Sequence, residues 1–385
     1  MWSRRHESKY PRASGMTFYP DTSGRRARIL ILSMRNLSTH ASRCSAYEFE
    51  DTIRACDAAD MLAPRQAVPR GQVMRRVSRA IGQSHRIVAE PIPPGRHYDL
   101  LLALCQSPSD LRHLPYLRGL RERCARSACL LEEVWNVDIE RWSRDIRWVA
   151  NFDAVFTLLG ASVPPLSKLL GRACHHVLGG VDAMKFCPYP DPPVRSIDVY
   201  SMGRRSGVVH TALMRLAEKH RWFYLYDTVA NCSVIDPPQH RWLLSNFIKR
   251  SRYFMAYPAK FNSPDETRGQ NELGLRQFEG AAGGAVMLGS PPRSEAYNRN
   301  FDWPDAIIPV SATNGADVGD VMTELDRQPE RVARIRRDNV ANSLLRHDWV
   351  YRWRSMLEIV GLAPSPEMTV READLKRLAG IVNGL

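Results

Sequence analysis

Two doubly wound, Rossmann-like α/β lobes facing a cleft, followed by a C-terminal helical segment, are predicted by three features of the sequence: its length, its alternating pattern and a midway proline cluster. At 385 residues the chain is long for one core and suits two domains of roughly 150 residues each. Short apolar runs alternate with longer amphipathic stretches from Ala27 onward, as when helices join parallel strands. The alternation breaks at Pro188, Pro190, Pro192 and Pro193, a composition that resists helix and central strand and suits a stiff crossover.

Residues 1–26 carry Arg4, Arg5, Lys9 and Arg12 without the apolar core of a secretion signal, and read as a mobile leader. The N-terminal lobe spans 27–187, with strands expected at 28–34, 99–105, 128–134, 152–159 and 175–181 and helices such as 47–58 and 114–126. Residues 188–195 form the linker. The second lobe, 196–345, should carry strands at 197–202, 222–226, 253–257, 285–288 and 306–309, with helices at 208–220, 239–251 and 272–282. Periodic apolar positions at Val321, Leu325, Val332, Ile335, Val340 and Leu344 predict nearly continuous helix over 317–360, running into C-terminal helices over 346–385. Trp349, Trp353 and Leu357 share one face, which packs either on its own lobe or back across both lobes as a clasp.

Composition excludes several classes. No run approaches the roughly 18 apolar residues that would cross a bilayer, and the eight cysteines, without a CxxC pair, read as reduced core thiols of a cytoplasmic protein. Cys174, His175 and His176 are adjacent on an expected strand and point to opposite faces, so no metal site is expected there. A net charge of +13 would attract polyanions. Only seven of the 54 basic residues are lysine, however, and the arginines are dispersed with no nucleic-acid-reading motif. A solvated basic surface, with peripheral contact to an anionic inner membrane face, is favoured over sequence-specific nucleic acid.

The most informative segment is NELGLRQFEGAAGGAVMLGS, residues 271–290, where an amphipathic helix ends in glycines and runs into a buried strand. Glu279 is followed by Gly280, Ala281, Ala282, Gly283 and Gly284, small residues that let a ligand or a neighbouring element approach the backbone. A carboxylate there can accept two hydrogen bonds from the vicinal hydroxyls of a ribose. This segment resembles the donor-site motif of GT-B glycosyltransferases, and Arg276, Phe278 and Glu279 fit the R-x-F-E pattern of the bacterial CgeB-like subgroup. The run HDWVYRWRSML, residues 347–357, is similar to that subgroup's C-terminal helix. The resemblance covers about 150–360 and implies a GT-B fold with a nucleoside-diphosphate-sugar donor in the second lobe. In one respect the chain departs: two motif carboxylates usually stand eight positions apart, whereas Glu272 precedes Glu279 by seven. Only Glu279 is carried over as the ribose ligand, and Glu272 reads as an acid at a helix N-terminus.

Other candidates follow from position. Gly203, Arg204 and Arg205 end the first strand of the second lobe, the edge where open α/β sheets bind ligands. Arg204 there is either a grip on a diphosphate or an exposed loop residue. Tyr257 and Lys260 end another strand, where the resemblance implies a hold on the base. In the first lobe the loop 34–40 lacks a G-x-G-x-x-G fingerprint, which argues against a dinucleotide dehydrogenase, and His40 is either a general base or a solvated loop residue. Glu132 and Glu133 are expected to end a strand with one side chain in the cleft, where burial would make it a base for the acceptor hydroxyl. Asp110, Asp138 and Asp153 are their rivals. The reading is metal-independent transfer of a sugar to a glycan, lipid-linked or small-molecule acceptor, with no cofactor beyond the nucleotide-sugar. The alternatives are a non-catalytic nucleotide- or polyanion-binding module and a nucleotide-sugar epimerase.

Overall fold

The computed structural model describes residues 15–36, 40–64, 88–89, 92–111, 119–228 and 233–384. Its N-terminal sheet contains β1 (Gly15–Tyr19), β2 (Ile29–Leu32), β3 (Ala59–Pro64), β4 (Val88–Ala89), β5 (Tyr98–Cys105), β6 (Cys124–Leu131), β7 (Ala154–Thr157) and β8 (His175–His176), in the order β4-β1-β3-β2-β5-β6-β7-β8. All pairings are parallel except β1 against β3. The second sheet, wholly parallel, contains β9 (Ile197–Ser201), β10 (Tyr224–Tyr226), β11 (Ser251–Met255), β12 (Val286–Gly289) and β13 (Ile308–Pro309), in the order β10-β9-β11-β12-β13. Central strands such as β2 are buried at every residue, which is why they read as unbroken apolar runs.

Helix starts follow the sequence chemistry. The Ser206 hydroxyl accepts from the Val209 amide at 3.2 Å to open the helix Gly207–His220. Asp236 accepts from the Gln239 amide at 3.0 Å ahead of Pro237 to open the helix Pro237–Lys249. The C-terminal region is not one helix but Asp317–Asp326, Pro329–Arg346, Trp349–Ile359 and Pro366–Asn383, because Pro329 and Pro366 and the cap residues Asp348 and Ser365 restart it.

Three other expectations need correction. Residues 15–19 of the expected leader form β1, in which Met16 is buried but Thr17, Phe18 and Tyr19 are not, so there was no apolar run to detect. The helix expected over 114–126 falls partly outside the described residues, and its end is instead a 3-10 turn, Arg121–Arg123, running into β6. β3 went unforeseen because Asp60 interrupts its pattern; that carboxylate is buried and accepts from Tyr98 Oη at 2.8 Å, from the Asp21 amide at 2.7 Å and from Arg96.

The two lobes share a core. One apolar cluster runs from Ile29, Phe49 and Leu102 of the first lobe through Trp349 and Trp353 to Phe254 and Phe278 of the second. The C-terminal helices pack back on the first lobe as a clasp: the Trp349 ring stacks on Phe49 at 4.7 Å, and Trp353 Nε1 donates to Asp57 at 3.1 Å. The seven described cysteines are free and buried, and no helix among the described residues is long and apolar enough to cross a membrane.

Candidate active site

The carboxyl ends of the two sheets face each other, and the lobes touch there. Gln270 accepts from the Asn136 amide at 2.9 Å and donates to Ser162 at 3.0 Å. Lys260 Nζ stands 5.0 Å over the Trp135 ring, and His40 bridges to Ser233. Glu272 does not lie in a helix, since that element starts at Leu275. Instead its carboxylate accepts from the Gly160 and Ala161 amides at 3.2 and 3.0 Å, capping a turn of the opposite lobe.

On the first-lobe side, β6 stops at Leu131, so Glu132 and Glu133 lie just beyond the strand. Their amides nevertheless continue the ladder, to Cys105 and Gln106 carbonyls at 2.9 and 2.8 Å, which fixes their directions. Glu132 is buried, and burial pushes its carboxyl up to about 8, with Arg43 opposing and Glu133 and Asp110 adding repulsion. Glu133 is half-buried and accepts from Gln106 Nε2 at 3.2 Å. That amide also donates to Ser42 Oγ at 3.1 Å, which lies 2.8 Å from His40 Nδ1. The structure therefore brings His40, Glu132 and Glu133 to one edge. Of their rivals, Asp110 is locked bidentately on Arg43 at 2.9 Å, and Asp153 precedes β7, at the opposite end of the sheet. Asp138 shares the correct edge and lies 3.7 Å from Arg141.

On the second-lobe side, Gly203 turns at φ +76°, a left-handed conformation that favours glycine, and its amide donates to Asp227 Oδ2 at 2.6 Å. Arg205 donates to the Asp227 carbonyl at 2.6 Å and covers the Tyr226 ring. Arg204, half exposed, donates to Ser263 Oγ at 2.6 Å and shares Glu266 with Lys260, at 3.5 and 3.0 Å. Arg276 lies against the same turn: a Cβ on Gly203 would stand 3.7 Å from its Nη2. Gly203, Arg204, Arg205, Lys260 and Arg276 thus form one cationic edge.

Three sequence candidates sit deeper than expected. Glu279 is 1% exposed, with one oxygen accepting from Arg241 and the other from Arg276, and these guanidiniums hold its carboxyl below the usual range despite burial. A ribose would reach it only by displacing the Arg276 bond. Tyr257 is buried with its ring stacked on Phe261 at 4.4 Å, and its carbonyl accepts from Gln277 Nε2 at 2.9 Å. Gly283 packs against Ile248, and a Cβ on Gly280 would meet Phe254 at 2.7 Å. The small residues thus serve the approach of neighbouring elements.

Sequence reasoning missed Asp227, Glu266, Arg241 and Glu48. For Arg241 a signal existed: it occupies the apolar stripe of its helix with Leu244 and Ile248, where a charge must be paired. Asp227, one residue past a strand end, was equally readable. Glu48 carried none, because its helix is buried on nearly all sides.

Residues 217–358 match the protein family described as Glycosyl transferase-like. No curated protein matches the chain. Among solved structures, it is similar to an α-glucosyltransferase in complex with UDP and a 13-mer DNA, at 12% identity and TM-score 0.54, over 87% of this chain and 99% of that one. The α-glucosyltransferase in complex with UDP-glucose and DNA containing an abasic site gives 11% identity, TM-score 0.54 and the same coverage. A glycosyltransferase from Rickettsia africae gives 11% identity and TM-score 0.48, over 87% of this chain and 97% of that one. Two parallel-stranded lobes meeting at their carboxyl edges thus give this chain the GT-B fold of glycosyltransferases, with residues 217–358 matching a glycosyl transferase-like family.

Proposed function

We propose that the protein transfers a sugar from a nucleoside-diphosphate sugar to an acceptor hydroxyl in the cleft between its lobes, without a metal ion. The observation that carries this reading is the meeting of two edges of opposite character. Gly203, Arg204, Arg205, Lys260 and Arg276 converge on the donor side, and Glu132, Glu133 and His40 on the other. Guanidiniums aimed at one turn stabilise the growing charge of a departing diphosphate, the work a metal does in other designs. On the facing edge, base catalysis falls to Glu132 or Glu133, and a carboxyl pushed up to about 8 suits proton abstraction from a hydroxyl. Lys260 and the Tyr257 backbone flank the place for the base. The Arg276-x-Phe278-Glu279 string supports a CgeB-like subtype.

The test is release of nucleotide from a panel of UDP, GDP, dTDP and CMP sugars, with glycan, lipid-linked and small-molecule acceptors. Duplex DNA belongs among them, because a net charge of +13 draws a polyanion and a structural neighbour was solved with DNA. Wild type should release nucleotide from one donor, and Arg276→Gln should lower turnover at least about tenfold. Saturable binding without release would favour a non-catalytic module, and donor interconversion without acceptor an epimerase. Absence of any saturable nucleotide binding would overturn the donor site.

A further inference from the structure

Behind the Gly203 turn, buried side chains connect the cationic edge to the opposite lobe. Arg241, 3% exposed, bridges two carboxylates: Nη1 donates to Glu279, and Nη2 to Glu48 Oε2 at 2.8 Å. Glu48 belongs to the first-lobe helix Cys44–Cys56 and is 2% exposed. Besides Arg241, it accepts from Lys185 Nζ at 3.1 Å, from the Asp182 amide at 3.1 Å and from Trp349 Nε1 at 3.3 Å. At the other end of the row, Glu279 holds Arg276 against Gly203. Charges therefore alternate along it: Glu48, Arg241, Glu279, Arg276.

We propose that Glu48 is a positioning residue for the diphosphate subsite, fixing through Arg241 and Glu279 the direction in which the Arg276 guanidinium points at the Gly203 turn. The inference rests on the reading of that turn as the donor site. Its physical basis is competition for Glu279. A guanidinium prefers two parallel bonds to one carboxylate, and Arg241 forgoes that arrangement here because Glu48 takes its second nitrogen. Without the charge on Glu48, the buried Arg241 has only Glu279 to neutralise it and draws on both of its oxygens. Arg276, whose side chain is 29% exposed, then loses its anchor and turns to solvent. Glutamine cannot substitute at position 48, because its amide would bring two donors into a pocket already filled by four. Against the effect of burial, Arg241, Lys185 and the Asp182 amide push the Glu48 carboxyl down to about 2, so it stays charged at any working pH.

The experiment is calorimetric titration of the full chain with UDP and, separately, with inorganic pyrophosphate. Glu48→Gln and Arg276→Gln should each weaken both ligands about 5- to 20-fold. The double variant should be little worse than either single one, since both act on one guanidinium. Arg241→Lys keeps a charge in the pocket but cannot bridge both carboxylates, and should show the same loss; it decides the matter if Glu48→Gln does not fold. A merely structural Glu48 would lower the unfolding midpoint and leave pyrophosphate affinity unchanged. Wild-type affinity in Glu48→Gln or Arg241→Lys beside a weakened Arg276→Gln, or additive losses in the double variant, would overturn the positioning role while leaving the donor site standing. Wild-type affinity in Arg276→Gln would instead overturn the donor site.

Discussion

Glu132 in the first lobe and Glu279 in the second are withdrawn from water to similar degrees, 7% and 1% exposed, and burial disfavours charge on both. Yet Glu132 is pushed up to about 8 while Glu279 is held below the usual carboxylate range. The neighbours differ. Glu279 receives a bond from each of two guanidiniums, whereas the cation acting on Glu132, Arg43, is already bidentate on Asp110, and Glu133 and Asp110 add negative charge. Depth alone therefore does not set the protonation of a cleft carboxylate here; the allocation of arginines does. Glu132 is thereby favoured in its protonated form and Glu279 in its charged form.

The contrast can be broken most severely at Glu279. Glu279→Gln leaves two guanidiniums facing a neutral amide, one of them buried, and should cost about 3 kcal/mol of unfolding free energy in a urea titration. A loss under about 1 kcal/mol would show that the arginines do not depend on this carboxylate. The next largest effect concerns Glu132 and pH. Its folded-state pKa stands above the unfolded one, so its contribution to stability is complete below about 4.5 and disappears as pH rises through about 8. Wild type should therefore lose about 2–4 kcal/mol relative to Glu132→Gln between pH 5 and pH 8.5, followed by denaturant midpoints. Parallel pH profiles would mean that the carboxyl titrates normally. The smallest effect sharpens the donor side. Arg204 is half exposed and, among the described residues, tied to Ser263 and Glu266, so Arg204→Gln should leave stability unchanged. Turnover should nevertheless fall about 3- to 10-fold, more than ground-state affinity, and unchanged turnover would remove this residue from the site.

Much of the architecture was readable because parallel strands buried on both faces are continuous apolar runs. β2, β5 and β11 fall within two residues of their expected places. β1 and β3 escaped for opposite reasons: β1 is thinly buried between β4 and β3, and β3 carries a buried Asp60 whose partners come from distant segments. In the site, the Gly203 turn and the R-x-F-E helix were readable because their chemistry is local. The placement of Glu272 was not, since a cap supplied by a carboxylate 112 residues from Gly160 leaves no mark in either segment.

By itself the sequence determined the two doubly wound α/β lobes and the turn at Gly203, because periodicity, turn chemistry and helix caps act over a few neighbouring positions. Only the tertiary structure decided that Glu279 lies between Arg241 and Arg276, that Glu48, 193 residues from Arg241, completes the row, and that the C-terminal helices return to the first lobe. Those outcomes depend on which charges are buried side by side, and in a chain with 54 basic residues the pairing is settled by packing, since a buried carboxylate such as Glu279 takes the guanidiniums that the surrounding core brings within reach.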